Sequence, residues 1–399
     1  MKYSERVSQI TPSVTLAITA KAGQLKAEGQ DVISFGAGEP DFNTPDNIIE
    51  AAIKAMHDGK TKYTPTPGIN ELKTAIVNKF KNDNGLEYTP AQVMVSTGAK
   101  QCLANSMLAL VDDGDEVIMA VPYWVSYPEL VKLAGGVPIM IMGSADNQYK
   151  LTPELVEEHI SDRTKVMIIN SPNNPAGTIY REDELAALAE VAKKHDLMIV
   201  SDEIYEELIY GGEAHHSIAS VSQDAYERTI VINGVSKAYA MTGWRIGYLA
   251  GPADLVKKMS SIQSHMTSNP SSISQYAALE AIAGDQSFVS EMKKEFKARR
   301  DLLVEKLETI DDVSCIKPEG AFYVMMDIHK LLGRTYKGKT IETALDFSDQ
   351  LLSDQLVAVV PGEGFGIEGF VRLSYATSRE NIERGMDRVK EFINSMDKE

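Results

Sequence analysis

Thr229-Ile-Val-Ile-Asn-Gly-Val-Ser-Lys237 decides the reading of this chain. Thr229 to Ile232 is a short β-branched run of the kind that makes a strand covered on both faces, and such strands belong to parallel sheets. Small residues follow, and then one lysine. An ammonium emerging at the end of a buried strand is poorly solvated, which favours the neutral amine, and a neutral amine can form a Schiff base. Thr242-Gly-Trp-Arg-Ile-Gly247 lies just downstream. Its Arg245 offers a planar donor fork suited to phosphate oxygens, and Ser236 adds a hydroxyl beside the lysine. The set suits a cofactor with an aldehyde and a phosphate; a solvated lysine and a surface arginine in an ordinary loop is the plainer alternative.

Outward from this stretch, short apolar runs alternate with helical patterns, the signature of repeated β-α units. The spacing predicts strands at Val93–Ser96, Glu116–Ala120, Val137–Ile141, Lys165–Asn170, Leu197–Ser201 and Thr229–Asn233. Between them, Glu182 to His195 places Leu185, Leu188, Ala189 and Ala192 on one helical face. The fold class is therefore α/β, a large doubly wound and mostly parallel sheet. After Gly251-Pro252 the pattern turns to helices at 254–265 and 271–282, then a long charged helix at 288–310 able to link two domains. Short strands at 322–326, 357–360 and 370–375, with helices near 341–353 and 379–396, predict a smaller α+β domain. The expected division is an N-terminal arm at 1–45 joining the small domain, a large cofactor-binding domain at 46–287, and the small domain at 288–399.

With 399 residues, the chain exceeds the size at which one core keeps growing, in keeping with two domains. Hydrophobic residues make up 43% and charged residues 24%, the profile of a globular protein. A net charge of −17 without a basic cluster argues against nucleic acid and anionic membrane surfaces as partners. The first ten residues lack an apolar leader run and no stretch is long enough to span a bilayer, so a cytoplasmic location is expected. Cys102 and Cys315 lack metal-type spacing and read as reduced, buried thiols. His215-His216, in a Gly-rich loop, reads as solvated, and no metal is expected.

An aldehyde cofactor held at Lys237 would also require a carboxylate, donors for a ring oxygen, a phosphate cradle and a stacking ring. Asp202 follows the apolar run Leu197 to Val200, so its carboxylate falls at the C-terminal strand edge where open α/β sheets bind ligands. A protonated pyridine nitrogen would be a suitable partner, although an N-cap or surface role fits the same spacing. Tyr205 could donate to a ring oxygen. So could Asn174, although Asn173-Asn-Pro-Ala-Gly177 is a sound turn in its own right. Ser96-Thr-Gly-Ala-Lys100 reads as a strand-to-helix turn that could hold phosphate at Gly98 and Ala99. Trp124 could stack on a flat ring or fill a core. Arg372, inside the apolar run Phe370 to Tyr375, should meet a carboxylate, either of a substrate, helped by the Gly36–Gly38 loop, or of the protein itself. Lys100 could take a second carboxylate or lie on a helix surface. Gly364-Phe-Gly-Ile-Glu-Gly369 matches a dinucleotide glycine pattern but precedes a strand, so it reads as a loop.

With these residues in this order, the chain resembles the fold type I pyridoxal-phosphate aminotransferases, closest to the bacterial aspartate aminotransferases of subgroup Ib. Gly36-Ala-Gly-Glu-Pro-Asp-Phe42, Tyr63-Thr-Pro-Thr-Pro-Gly68, Ser96 to Gln101, Pro122-Tyr-Trp-Val-Ser-Tyr127, Asn173 to Gly177, Ser201-Asp-Glu-Ile-Tyr205, Ser236-Lys237, Thr242 to Gly247 and Val371 to Tyr375 carry the resemblance. It implies that Lys237 holds pyridoxal 5'-phosphate as a Schiff base, that Asp202 pairs the pyridine nitrogen, and that Tyr205 and Asn174 bind the ring oxygen. Ser236, Arg245, Gly98 and Ala99 would hold the phosphate, and Trp124 would lie near the ring. Arg372 would clamp the substrate α-carboxylate, Gly38 would touch substrate through its backbone, and Lys100 would take a distal carboxylate. Tyr63 would reach the phosphate of a neighbouring subunit, implying a homodimer with composite sites.

Aspartate with 2-oxoglutarate is the implied substrate pair, with an aromatic, alanine or broad-specificity aminotransferase as the alternative. A cofactor-binding regulator would need a DNA-binding module, for which the chain has no basic charge. Two departures stand out. Gly234 occupies a place where the better-known subgroup has a phosphate-binding serine. Thr11 precedes Pro12 where prephenate-accepting members resemble one another in carrying a basic residue.

Overall fold

The computed structural model describes residues 3–12 and 14–397. Its centre is a seven-stranded sheet of β1 (Val93–Ser96), β2 (Glu116–Val121), β3 (Val137–Met142), β4 (Thr164–Asn170), β5 (Met198–Asp202), β6 (Thr229–Gly234) and β7 (Gly247–Ala250), in the spatial order β1-β7-β6-β5-β4-β2-β3. β2 runs parallel to β3 and β4, β4 to β5, and β5 to β6. β7 is reversed against both β1 and β6. The six strands expected from sequence all form, and β7 is an addition to them.

Alternation explains why these strands are apolar at every position. Met94, Val200, Ile230, Ile232 and Leu249 face Leu103 and Met107 of the Ala99–Leu110 helix. Their neighbours face the other way: Val93, Val95 and Val231 pack on Leu72, Ile76 and Phe80 of the Asn70–Asn84 helix, while Ile199 and Met167 pack on Leu185 and Leu188 of the Glu182–Lys194 helix. Both faces are covered, as a parallel sheet requires. Only the edge strand β3 leaves apolar side chains open, at Val137, Met140 and Met142.

A second, antiparallel sheet comprises β8 (Ser314–Cys315), β9 (Tyr323–Asp327), β10 (Val360–Pro361) and β11 (Phe370–Ser374), in the order β10-β11-β9-β8. The single strand expected at 357–360 is two. Val357–Ala358 pairs in parallel with Ile33–Ser34, and Val360–Pro361 pairs with β11, because the chain switches neighbours between them. The turn-rich N-terminal stretch also contains a helix, Val14–Ala27. The Ser287–Glu308 helix places Val289 in a cluster against the large sheet and Phe296, Leu303 and Leu307 in the cluster under the small one.

Both cysteines are free, and Cys102 is buried, but Cys315 is only partly covered. Gly364 to Gly369 leads directly into β11 and forms no strand-to-helix link. Among the described residues, no helix is long and apolar enough to cross a membrane.

Candidate active site

Because six strands of the large sheet point the same way, the segments after β1, β2, β4, β5 and β6 gather at one sheet edge. That edge opens into a cavity of about 710 Å³ lined by Lys237, Asp202, Tyr205, Asn174, Ser236, Arg245, Trp124, Lys100, Ala99, Gly38 and Arg372. Residues far apart in sequence meet there. Thr19 and Lys26 of the N-terminal helix, Glu39 and Tyr127 line it too, and sequence reasoning assigned these no role.

Asp202 ends β5, paired in register with Asn170 of β4. Its carboxylate is buried and accepts hydrogen bonds from the Tyr127 hydroxyl at 2.7 Å and the Ile204 amide at 3.3 Å. Burial pushes the carboxyl up to about 6, and the Tyr127 bond offsets part of that rise. An acid so placed ionises near neutrality, and a nearby cation would hold it ionised.

Lys237 lies beyond β6, and its Nζ donates to the Gly38 carbonyl at 2.6 Å. Burial pulls the ammonium down to about 8, with Arg372 and Arg245 adding to the fall and Glu39 opposing it. At neutral pH a usable fraction is therefore the free, nucleophilic amine. Nζ is 5.8 Å from the ring centres of both Tyr205 and Phe322. The Tyr205 hydroxyl meets that of Tyr323 at 3.0 Å.

Gly98 has φ +81 and caps the Ala99–Leu110 helix, whose first N–H groups have no acceptor within the helix. A Cβ at Gly98 would collide with the Arg245 guanidinium, so glycine lets the arginine lie directly on the turn. Arg245 itself sits at φ 56, a region that costs a non-glycine residue roughly 1–3 kcal/mol and recurs at ligand sites. Its Nη1 donates to the Thr242 carbonyl at 2.8 Å. Helix N-terminus, guanidinium and Ser236 hydroxyl adjoin one cavity, an arrangement whose donors suit an anion. At Gly234 a Cβ would lie 3.0 Å from Gly247 Cα and from the Ile246 carbonyl oxygen, so a serine there would need β7 to give by a few tenths of an ångström.

Arg372 lies on β11 with 3% of its surface exposed. Its Nη1 donates to Asn174 Oδ1 at 3.0 Å and its Nη2 to the Gly36 carbonyl at 3.2 Å, while Nε has no partner. The guanidinium stacks 4.3 Å from the Tyr323 ring centre. Burial pulls its pKa below the ordinary arginine value, and among the described residues no carboxylate pairs with it. A buried cation without an anion is expensive unless a ligand brings one. Among the described residues Lys100 likewise pairs with no carboxylate, and it lies 4.9 Å over the Trp124 ring. Tyr63 is 91% exposed and does not line the cavity of its own chain.

The solvated reading of the histidine pair fails for His215. Its side chain is only 9% exposed and meets Glu203 Oε2 at 2.8 Å, with Glu206 at 4.0 Å. Burial alone would lower its pKa, but the two carboxylates raise it. Glu203, Glu206 and His215 are close enough together to surround an ion. However, Glu206 is already bonded to Lys79, Asn233 and Asn84, and Glu203 to Ser201 and Ser217. The cluster is a self-neutralised network behind the site.

Comparison with known proteins gives a consistent result. The family model described as "Aminotransferase class I and II" matches residues 30–389. The chain is 51% identical over 393 residues to the aspartate aminotransferase of Bacillus subtilis, covering 98% of this chain and 99% of the relative. It is 49% identical to the aspartate/prephenate aminotransferase of Cereibacter sphaeroides, covering 98% of each. Among solved structures, the aspartate aminotransferase from Rhizobium meliloti superimposes with a TM-score of 0.96 at 44% identity, covering 100% of both chains. That from Thermus thermophilus with maleate gives 0.93 at 44%, covering 98% of this chain and 100% of the other.

Proposed function

The chain belongs to the class I and II aminotransferases, and on that premise we propose that it exchanges the amino group of L-aspartate with 2-oxoglutarate, using pyridoxal 5'-phosphate held at Lys237. The observation that carries this reading is the presence, in one cavity, of an amine drawn toward neutrality and a buried guanidinium without a carboxylate partner. The donor set fits the cofactor: an amine for its aldehyde, a buried acid for its ring nitrogen, and a cradle at Gly98, Ala99, Ser236 and Arg245 for its phosphate. When bound, pyridoxal phosphate supplies an electron sink that makes the substrate Cα proton removable.

The protein's own groups do the rest. Asp202 provides a buried anion that would keep the ring nitrogen protonated, and Tyr127 holds that carboxylate in place. Tyr205 and Asn174 would bind the ring oxygen, and Trp124 would cover the ring. Arg372 would receive the α-carboxylate on its guanidinium where it lines the cavity, with Gly38 contributing a backbone contact. Lys100 would take the distal carboxylate, which favours a dicarboxylic substrate. Lys237 Nζ, as a free amine, would accept the substrate Cα proton as general base.

Tyr63, exposed in the single chain, would complete the site of a second copy in a homodimer. The arm at 1–45 and the domains at 46–287 and 288–399 would be its mechanical parts, working in the cytoplasm. An amino-donor panel of aspartate, alanine and phenylalanine tests the assignment, with kcat/KM for aspartate expected to lead by about tenfold or more. If aspartate trails the others, the dicarboxylate reading is wrong.

A further inference from the structure

Gln263 is fully buried on the Ala253–Met266 helix, and its amide is saturated. Oε1 accepts from Ser96 Oγ at 2.5 Å and from Asn105 Nδ2 at 3.0 Å. Nε2 donates to the Val95 carbonyl and to the Thr66 carbonyl, both at 2.9 Å. Two carbonyls cannot donate, so the orientation of the amide is forced. One side chain thus bridges the end of β1, where the phosphate cradle starts, and the Tyr63–Gly68 loop.

The two segments are also locked at the backbone, with the Val95 amide donating to the Pro67 carbonyl at 3.0 Å. Gly68, at φ +99, lies so close to β1 that a Cβ would come within 2.7 Å of Val95 Cγ2. A second buried glutamine secures the other side of the loop: Gln275 accepts from the Ile69 amide at 2.8 Å and donates to Thr64 Oγ1 at 3.1 Å. At the head of this tightly held loop, Tyr63 is left exposed.

We propose that Gln263 is a positioning residue that couples two active sites, fixing the phosphate turn of its own subunit and, through the Thr66 carbonyl, the loop that presents Tyr63 to the partner's site. This rests on the cofactor and dimer reading above. Removing the amide strands the Thr66 and Val95 carbonyls, so both segments relax together and cofactor affinity falls at both sites.

Mixed dimers test it without any activity assay. One subunit carries Lys237→Ala and cannot form the Schiff base, so the Schiff-base absorption band on titration with pyridoxal phosphate reports loading of the other subunit alone. Gln263→Leu is placed either on the loading subunit or on the Lys237→Ala subunit. Either placement is expected to weaken loading by about tenfold, the scale of one lost buried hydrogen bond. Gln263→Glu, which keeps the size but cannot donate to both carbonyls, should do the same and covers the case in which the leucine variant does not fold.

A residue that merely supported its own subunit would lower melting temperature while leaving the partner's affinity unchanged. That result, or parent-like loading of the Gln263→Glu dimers, overturns the coupling. If the parent mixed dimer takes up no pyridoxal phosphate, the cofactor assignment itself has failed.

Discussion

Two buried cations, Lys79 and Arg372, are treated in opposite ways by the chain. The Lys79 side chain is 7% exposed and ion-pairs with Glu206, in a network that Asn84, Asn233, Glu203 and His215 complete. Arg372 is as deeply buried, yet it has two neutral acceptors, two aromatic faces and one empty donor. A charge whose counter-ion is built into the chain is structural. One whose counter-ion is missing is arranged for something that arrives from outside.

Substitutions should separate the two roles. Arg372→Leu removes the buried guanidinium proposed to pair with the α-carboxylate, about 4 kcal/mol for a desolvated pair, so kcat/KM for aspartate should fall roughly a thousandfold. Its ligand-free melting temperature should stay within about 4 °C of the parent, since no native ion pair is broken. A large loss of stability with little loss of rate would reverse the contrast. Lys79→Met should do the opposite: Glu206 is left buried without its cation, costing about 3–5 kcal/mol of stability by denaturant titration. KM for aspartate should be unchanged in the protein that remains folded.

Tyr127→Phe is a smaller perturbation that sharpens the picture of Asp202. The hydroxyl bonds the ionised carboxylate, so its loss should raise the pKa from about 6 by roughly one unit, the worth of one hydrogen bond. The folded acid binds its proton more tightly than the unfolded one, whose value is the ordinary 3.8. Stability from this group is therefore fully present below that value and is lost as pH rises toward 6. The variant should extend this loss to higher pH, a shift that NMR titration of the ligand-free protein would measure. An unmoved or lowered titration would show that the bond does not act on the anion.

Much of this was legible in the sequence because the deciding residues sit next to strands that announce themselves. Asp202, Asn174, Gly98 and Lys237 each follow an apolar run, and parallel strands carry all of them to one edge. Pairings across long separations were not legible. Tyr127 with Asp202, Tyr205 with Tyr323 and Gln263 with Thr66 join elements that no local pattern connects. β7 was missed because its four residues, Gly247–Ala250, are squeezed between the Arg245 turn and Gly251-Pro252, too short a run for periodicity to register as a strand. The strand at 357–360 was read as one since periodicity cannot register a change of neighbours halfway. His215 was misread because the glycines before it suggested an open loop, whereas two buried carboxylates draw it in.

The most direct test of the central claim, that Lys237 carries the cofactor in a pocket built to receive its charges, is borohydride reduction of the protein incubated with pyridoxal phosphate, followed by peptide mapping. The expected result is one pyridoxyl adduct on Lys237, with no reduced adduct on Lys237→Ala. An adduct on another lysine, or undiminished transamination by Lys237→Ala, would contradict the account.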